Sequence, residues 1–87
     1  MSTAAITDLI DDTAKQEIED IFREHYRLVY RTAFRIIGRA EDTEDVVQTV
    51  FLRLLRRGIT SDFHRNLKGY LYRAAVNLSL SAVESWW

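Results

Sequence analysis

Apolar side chains recur at spacings of three and four through three long stretches of this chain. In the first, Ile18, Ile21, Phe22, His25, Tyr26, Val29, Ala33, Ile36 and Ile37 trace one stripe of a helix from about Ala14 to Ile37, because residues three and four apart share a helical face. Gly38 is its natural stop, since glycine takes a left-handed backbone without steric penalty. The second stretch, from about Glu41 to Arg57, turns Val47, Val50, Phe51 and Leu54 inward and is closed by Gly58. Acids fill its first turn, and Arg53, Arg56 and Arg57 its last turns, which complements the helix dipole at both ends. The third begins near Asn66, a good N-cap residue. It runs toward the C-terminus with Leu67, Tyr70, Leu71, Ala74, Ala75 and Leu78 as its buried stripe. Gly69 in its first turn costs about 1 kcal/mol relative to alanine, so some demand for a small residue is expected there.

The pattern predicts an all-α fold, a small antiparallel bundle of three main helices with room for a short N-terminal helix. Residues 1–13 form an acidic arm. Its Ile6, Leu9 and Ile10 make one apolar turn at most, too little to hold a helix unaided. Residues 14–87 form the helical domain. The longest internal connection, Gly58 to Arg65, carries Ile59, Phe63 and His64 and is unusually apolar and aromatic for an exposed loop.

Composition narrows this picture. At 87 residues the chain is one domain near the lower limit of a self-sufficient core. It has no proline and only three glycines, which favours helices joined by short loops over a sheet with many turns. The absence of cysteine excludes disulfides and thiolate metal sites and fits a reducing cytoplasm. No apolar run approaches membrane-spanning length and no signal-peptide plan heads the chain, so a soluble cytoplasmic protein is expected. Residues 1–24 hold seven acids against two bases, and residues 25–87 ten bases against six acids. Four of those six, Glu41, Asp42, Glu44 and Asp45, sit together. Such segregation suits two partners of opposite charge; it equally suits an acidic segment that only solubilises the N-terminus.

Three segments in order carry a family likeness. The first is Phe22-Arg23-Glu24-His25-Tyr26 through Tyr30 to Gly38. The second is Glu41-Asp42 followed by Glu44-Asp45-Val46-Val47-Gln48-Thr49-Val50-Phe51. The third is Tyr70-Leu71-Tyr72-Arg73-Ala74-Ala75-Val76-Asn77-Leu78. Over roughly residues 18–80 the chain resembles region 2, the promoter-melting region, of bacterial sigma factors of the extracytoplasmic-function group. The resemblance implies that the second helix docks on the clamp helices of the RNA polymerase β′ subunit. It also implies that the third helix and the loop before it grip the non-template strand of the minus-ten element, with a base flipped out and held. Carried onto this chain, the polymerase-binding set is Asp42, Glu44, Asp45, Gln48 and Leu52. The DNA-binding set is Phe63, His64, Arg65, Asn66, Lys68, Tyr70, Arg73 and Asn77. An anti-sigma protein is a further partner the resemblance brings, and no cofactor is implied.

The chemistry of these residues agrees. Asp45 and Gln48 are three apart and share a helix face, where a carboxylate can pair with a partner's arginine and an amide can both donate and accept. An acidic first turn that merely stabilises its own helix would look the same in isolation. Unstacked bases bind by stacking on aromatic rings, with basic side chains on the phosphates, and an asparagine can bond an adenine edge through two contacts. Tyr70, Arg73 and Asn77 are spaced to share one face. The plainer reading makes Tyr70 and Tyr72 rim packing and Asn77 a solvated polar residue. Arg23, Arg27, Arg31, Arg35 and Arg39 recur every four residues, either as a backbone-tracking stripe or, more simply, as a solvated face with local pairs such as Glu19–Arg23 and Glu24–Arg27.

After Asn77 the chain departs from the family. Where an aspartate and then several bases are usual, it reads Leu78-Ser79-Leu80-Ser81-Ala82-Val83-Glu84-Ser85-Trp86-Trp87, with serine at the aspartate position. Tyr70 stands where tryptophan is more usual. No second DNA-binding domain follows, so an isolated domain or a truncated product is expected. A second function class follows from these departures: a helical interaction domain that binds polymerase or a regulator without reading DNA. Catalysis is not expected. Ser61, Asp62 and His64 crowd into four positions, whereas triad members converge from distant parts of a fold. His25 and His64 have no metal-ligand spacing.

Overall fold

Helices α1 (Asp12–Ile37), α2 (Ala40–Arg57) and α3 (Leu67–Glu84) make up the fold, each packed against the other two. It is seen in a computed structural model that describes residues 12–58 and 65–86, with side chains from residue 16. The expected N-terminal turn at Ile6, Leu9 and Ile10, and the loop residues Ile59, Phe63 and His64, lie outside the described residues. The three helices expected from periodicity are all present, their edges within two residues of the expected ones, and no strand occurs among the described residues.

The turn between α1 and α2 is two residues long. Gly38 takes φ 73° and its N–H donates to the Phe34 carbonyl at 2.8 Å, closing α1. Arg39 is extended, and its carbonyl accepts from the Thr43 N–H at 3.0 Å and from the Thr43 hydroxyl at 2.6 Å. Thr43 can therefore be fully buried without an orphaned hydroxyl. From there α2 presents Val46, Val47, Val50, Phe51 and Leu54 to the core. Gly58 takes φ 78° and ends it through an N–H bond to the Leu54 carbonyl at 3.0 Å.

α1 contributes Ile21, Val29, Ala33 and Ile37 to the core, and α3 contributes Leu67, Leu71 and Ala75. Burying one such leucine stabilises the fold by about 1.5–3 kcal/mol. Ser79 continues the α3 stripe, is fully buried, and its hydroxyl has no hydrogen-bond partner among the described residues. An unsatisfied buried hydroxyl costs about 1–3 kcal/mol. Asn66 precedes α3 as expected, but its side chain makes no capping bond; only its carbonyl is engaged, by the Tyr70 N–H at 2.9 Å. At the far end of α3, Trp86 lies under the Arg39 guanidinium, 4.4 Å from the ring centroid, tying the last turn to the α1–α2 connection.

Two expectations are corrected. Phe22, placed on the buried stripe of α1, is 42% exposed. Each step of four residues advances 400°, so an i, i+4 row rotates 40° per step and drifts off a fixed core line over a long helix. Gly69 meets no packing demand: a Cβ there would find only the Arg73 Nη2 atom, at an ordinary 3.9 Å.

Candidate functional site

The buried seam of α2 fixes what its opposite face presents. With Thr43, Val47, Val50 and Leu54 inside, helical geometry turns Asp45, Gln48 and Leu52 outward along one ridge, and all three are exposed. Leu52 is 57% exposed, and Leu55 beside it is also exposed. Acid, amide and two leucines thus stand in one line, and packing within the described fold does not account for the leucines. Glu44 is exposed at the edge of this ridge. Asp42 is set apart: it is half-buried on the flank, and its carboxylate faces Arg39 at 3.9 Å. Leu55 escaped the sequence reading because its neighbour Leu54 is fully buried, and adjacent leucines cannot be sorted without the helix phase.

On α3 the expected DNA-binding residues divide between two flanks. Arg73 and Asn77 are exposed, one turn apart. Tyr70 lies beside them at the α2 boundary, half-buried, with the Arg57 guanidinium 5.3 Å from its ring centroid. This flank therefore brings Tyr70, Arg73 and Asn77 onto one side, as their spacing suggested. Arg65, Asn66 and Lys68 are exposed at the start of the helix. Lys68 and Tyr72 line the other flank, facing α1 across an open groove of about 480 Å³. Tyr72 is 52% exposed. Arg65 joins Lys68 at a second, smaller groove of about 350 Å³ whose α1 wall is acidic, with Glu17, Asp20 and Glu24. Phe63 and His64 lie outside the described residues.

The α1 wall of the larger groove includes His25, Arg31 and Arg35, none of which the sequence reading placed in a site. The signal was the arginine ladder, read there either as a backbone-tracking stripe or, more simply, as a solvated face with local pairs. Neither the Glu19–Arg23 nor the Glu24–Arg27 pair forms; Arg39, the last rung of the ladder, faces Asp42 instead. The opposite flank of α1 carries an aromatic ladder. Phe22, Tyr26, Tyr30 and Phe34 follow one another with ring centroids 5.2, 5.9 and 5.9 Å apart, and Phe22 meets Phe51 of α2 at 4.8 Å.

Among the described residues no cluster of His, Cys, Asp or Glu could hold a metal ion, and no helix is long and apolar enough to cross a membrane. Two exposed surfaces stand out: one on α2 mixed acidic and apolar, the other on α3 aromatic and basic.

Comparison with known proteins gives the chain a family. Residues 21–87 match the family model described as sigma-70 region 2. The chain is similar to the ECF RNA polymerase sigma factor SigE of Mycolicibacterium smegmatis, with 33% identity over 73 residues, 84% of this chain and 28% of that protein. It is also similar to the ECF RNA polymerase sigma factor SigW of Bacillus subtilis, with 29% identity over 73 residues, 84% of this chain and 37% of that protein. The chain thus spans about a third of the length of these curated relatives. No solved structure gives a significant match.

Proposed function

The chain belongs to the sigma-70 region 2 family, and on that premise we propose that it serves transcription initiation by docking on core RNA polymerase and holding the opened minus-ten element. Docking falls to the α2 ridge. Asp45 pairs with a basic group of the β′ clamp helices, Gln48 adds a donor and an acceptor, and Leu52 covers its apolar surface on the partner, while Asp42 and Glu44 steer the encounter. The non-template strand falls to α3 and the loop before it. There Arg65, Lys68 and Arg73 meet phosphates, Phe63, His64 and Tyr70 offer rings, and Asn66 and Asn77 offer amides to base edges. The work is capture rather than catalysis: a base that opens transiently is held, and the unstacking cost of a few kcal/mol is offset by stacking and phosphate contacts. The setting is cytoplasmic, where polymerase and promoter meet, and an anti-sigma protein would restrain the module by covering either surface.

The observation that carries this reading is the outward line of Asp45, Gln48 and exposed Leu52 on a helix whose other face is fully committed to the core. The test is capture of core polymerase by the Asp45→Ala, Gln48→Ala double variant. Losing charge-assisted contacts of about 1.5–3 kcal/mol weakens capture tenfold or more, with affinity for a minus-ten oligonucleotide unchanged. Capture within twofold of the parent would remove α2 from the docking surface.

One observation favours a second reading. The turns of α3 beyond Arg73 carry Glu84 and no cation, so duplex DNA upstream of the melted bases finds no positive charge there. A domain that keeps the polymerase surface and no longer reads DNA would bind core polymerase and leave a labelled minus-ten strand free, alone and in the complex.

A further inference from the structure

The ring ladder of α1 reads the same in both directions. Phe22, Tyr26, Tyr30 and Phe34 stand at intervals of four residues, phenylalanine at the ends and tyrosine in the middle, symmetric about the level of Leu28. The fold uses this row only in part. Phe22 meets Phe51 of α2, yet Phe22 is 42% and Phe34 41% exposed. Around Phe22 lies an open, mainly apolar hollow of about 570 Å³ walled by Ile18, Phe22 and Tyr26, with Glu19 and Arg23 beside them. Phe34 stands out into solvent about 18 Å further along the same helix. Knob and hollow therefore belong to one ridge. Charge is segregated along that helix as well: Glu17, Glu19, Asp20 and Glu24 precede its middle, and Arg27, Arg31 and Arg35 follow with no acid among residues 25–39.

We propose that this ladder is a self-association surface, on which a second copy of the chain packs its own α1 antiparallel about a twofold axis at the level of Leu28. A twofold interface sets one patch against itself, so contacts mirror about the axis. Phe34 of each copy then enters the hollow beside Phe22 of the other, and Tyr26 meets Tyr30 across the axis on both sides. Residues four apart form ridges, and two such ridges interdigitate when helices cross at about −50°, the commonest crossing in globular proteins. Charge chooses the direction. Antiparallel copies set the acidic half of each α1 against the arginine half of the other and oppose their helix dipoles; parallel copies would put like on like. A foreign helix would account for an exposed aromatic row, but not for its mirror order or for knob and hollow lying on it together. The patch is one face of one helix, smaller than the roughly 800 Å² per partner of a standard interface, and the two copies of Arg27 approach each other near the axis. The dimer is therefore weak and reversible, a micromolar rather than a nanomolar complex. Self-association of this kind is independent of polymerase or promoter binding and can fail without touching either.

The experiment is sedimentation velocity on the whole 87-residue chain at about 1 to 500 µM, a span that brackets micromolar association. The parent should pass from monomer to dimer. Phe34→Glu should raise the midpoint tenfold or more. Tyr72→Glu makes the same change at a ring of α3 that is 52% exposed, and should move the midpoint by less than a factor of two. Both rings stand at the surface, and matching thermal unfolding curves would establish that each variant folds. Because the chain has no cysteine, single cysteines then map the geometry in an otherwise unaltered protein. Arg27→Cys lies near the axis and should join to its own counterpart through a short bismaleimide. Glu19→Cys should not, since antiparallel pairing about Leu28 holds the two copies of that position roughly 25 Å apart at 1.5 Å per residue. A parent that stays monomeric throughout, or a dimer that survives Phe34→Glu, would overturn the surface. Equal losses from Phe34→Glu and Tyr72→Glu would reduce the dimer to unspecific apolar association and overturn it too. Joining of Glu19→Cys as readily as Arg27→Cys would overturn the mirror pairing on which the dimer rests.

Discussion

Gly38 and Gly69 are the same residue under opposite demands. Gly38 sits at φ 73°, and a methyl group added there would meet open space, so Gly38→Ala costs backbone strain alone, about 1 kcal/mol. Gly69 sits in the first turns of α3 with nothing closer than 3.9 Å to a Cβ, so Gly69→Ala should gain about 0.5–1 kcal/mol from helix propensity. Urea unfolding of the two variants should move in opposite directions, and a loss at Gly69 would show a constraint that the packing lacks. Residue identity alone foretold the first and misled on the second: a glycine after an apolar stripe signals a stop, but a glycine inside a helix does not reveal whether anything crowds it.

The elements were legible because each helix had a periodic apolar stripe bounded by glycine or asparagine. The inward set Val47, Val50, Phe51 and Leu54 is buried as read, and so are Leu67, Leu71 and Ala75. What the stripe could not supply was its rotation along α1, where Phe22 leaves the core, or the pairing of helix flanks that creates the α1–α3 groove, since Arg31 and Tyr72 meet only in three dimensions. Nor could it decide between leucines two residues apart. Leu54 is fully buried and Leu52 is 57% exposed. Leu54→Ala should therefore cost about 3 kcal/mol, a large share of the stability of so small a domain. Leu52→Ala should leave stability within about 0.5 kcal/mol while weakening polymerase capture. Chemical unfolding followed by circular dichroism, with a parallel capture assay, separates the two roles; a large stability loss at Leu52 would return it to the core.

At the scale of the whole molecule, cohesion and charge are nearly independent. The core is aliphatic apart from Phe51, and the Arg39–Asp42 ion pair is long at 3.9 Å and lies at the surface, a type worth about 0–1 kcal/mol. Melting temperature should accordingly shift little between roughly 50 and 300 mM salt, whereas strand binding should fall steeply over the same range. Parallel salt dependence of both would mean that charge holds the fold together. One further consequence lies in the ring ladder of α1. Tyr26 and Tyr30 are stacked at 5.9 Å with an interplanar angle of 25°, in a chiral array far along the chain from the tryptophan at the end of α3. The molecule thus carries a built-in optical label: near-ultraviolet dichroism in the tyrosine band draws on Tyr26 and Tyr30 of α1 and on Tyr70 and Tyr72 of α3, and in a Tyr70→Phe, Tyr72→Phe background it reports the integrity of α1 without any dye.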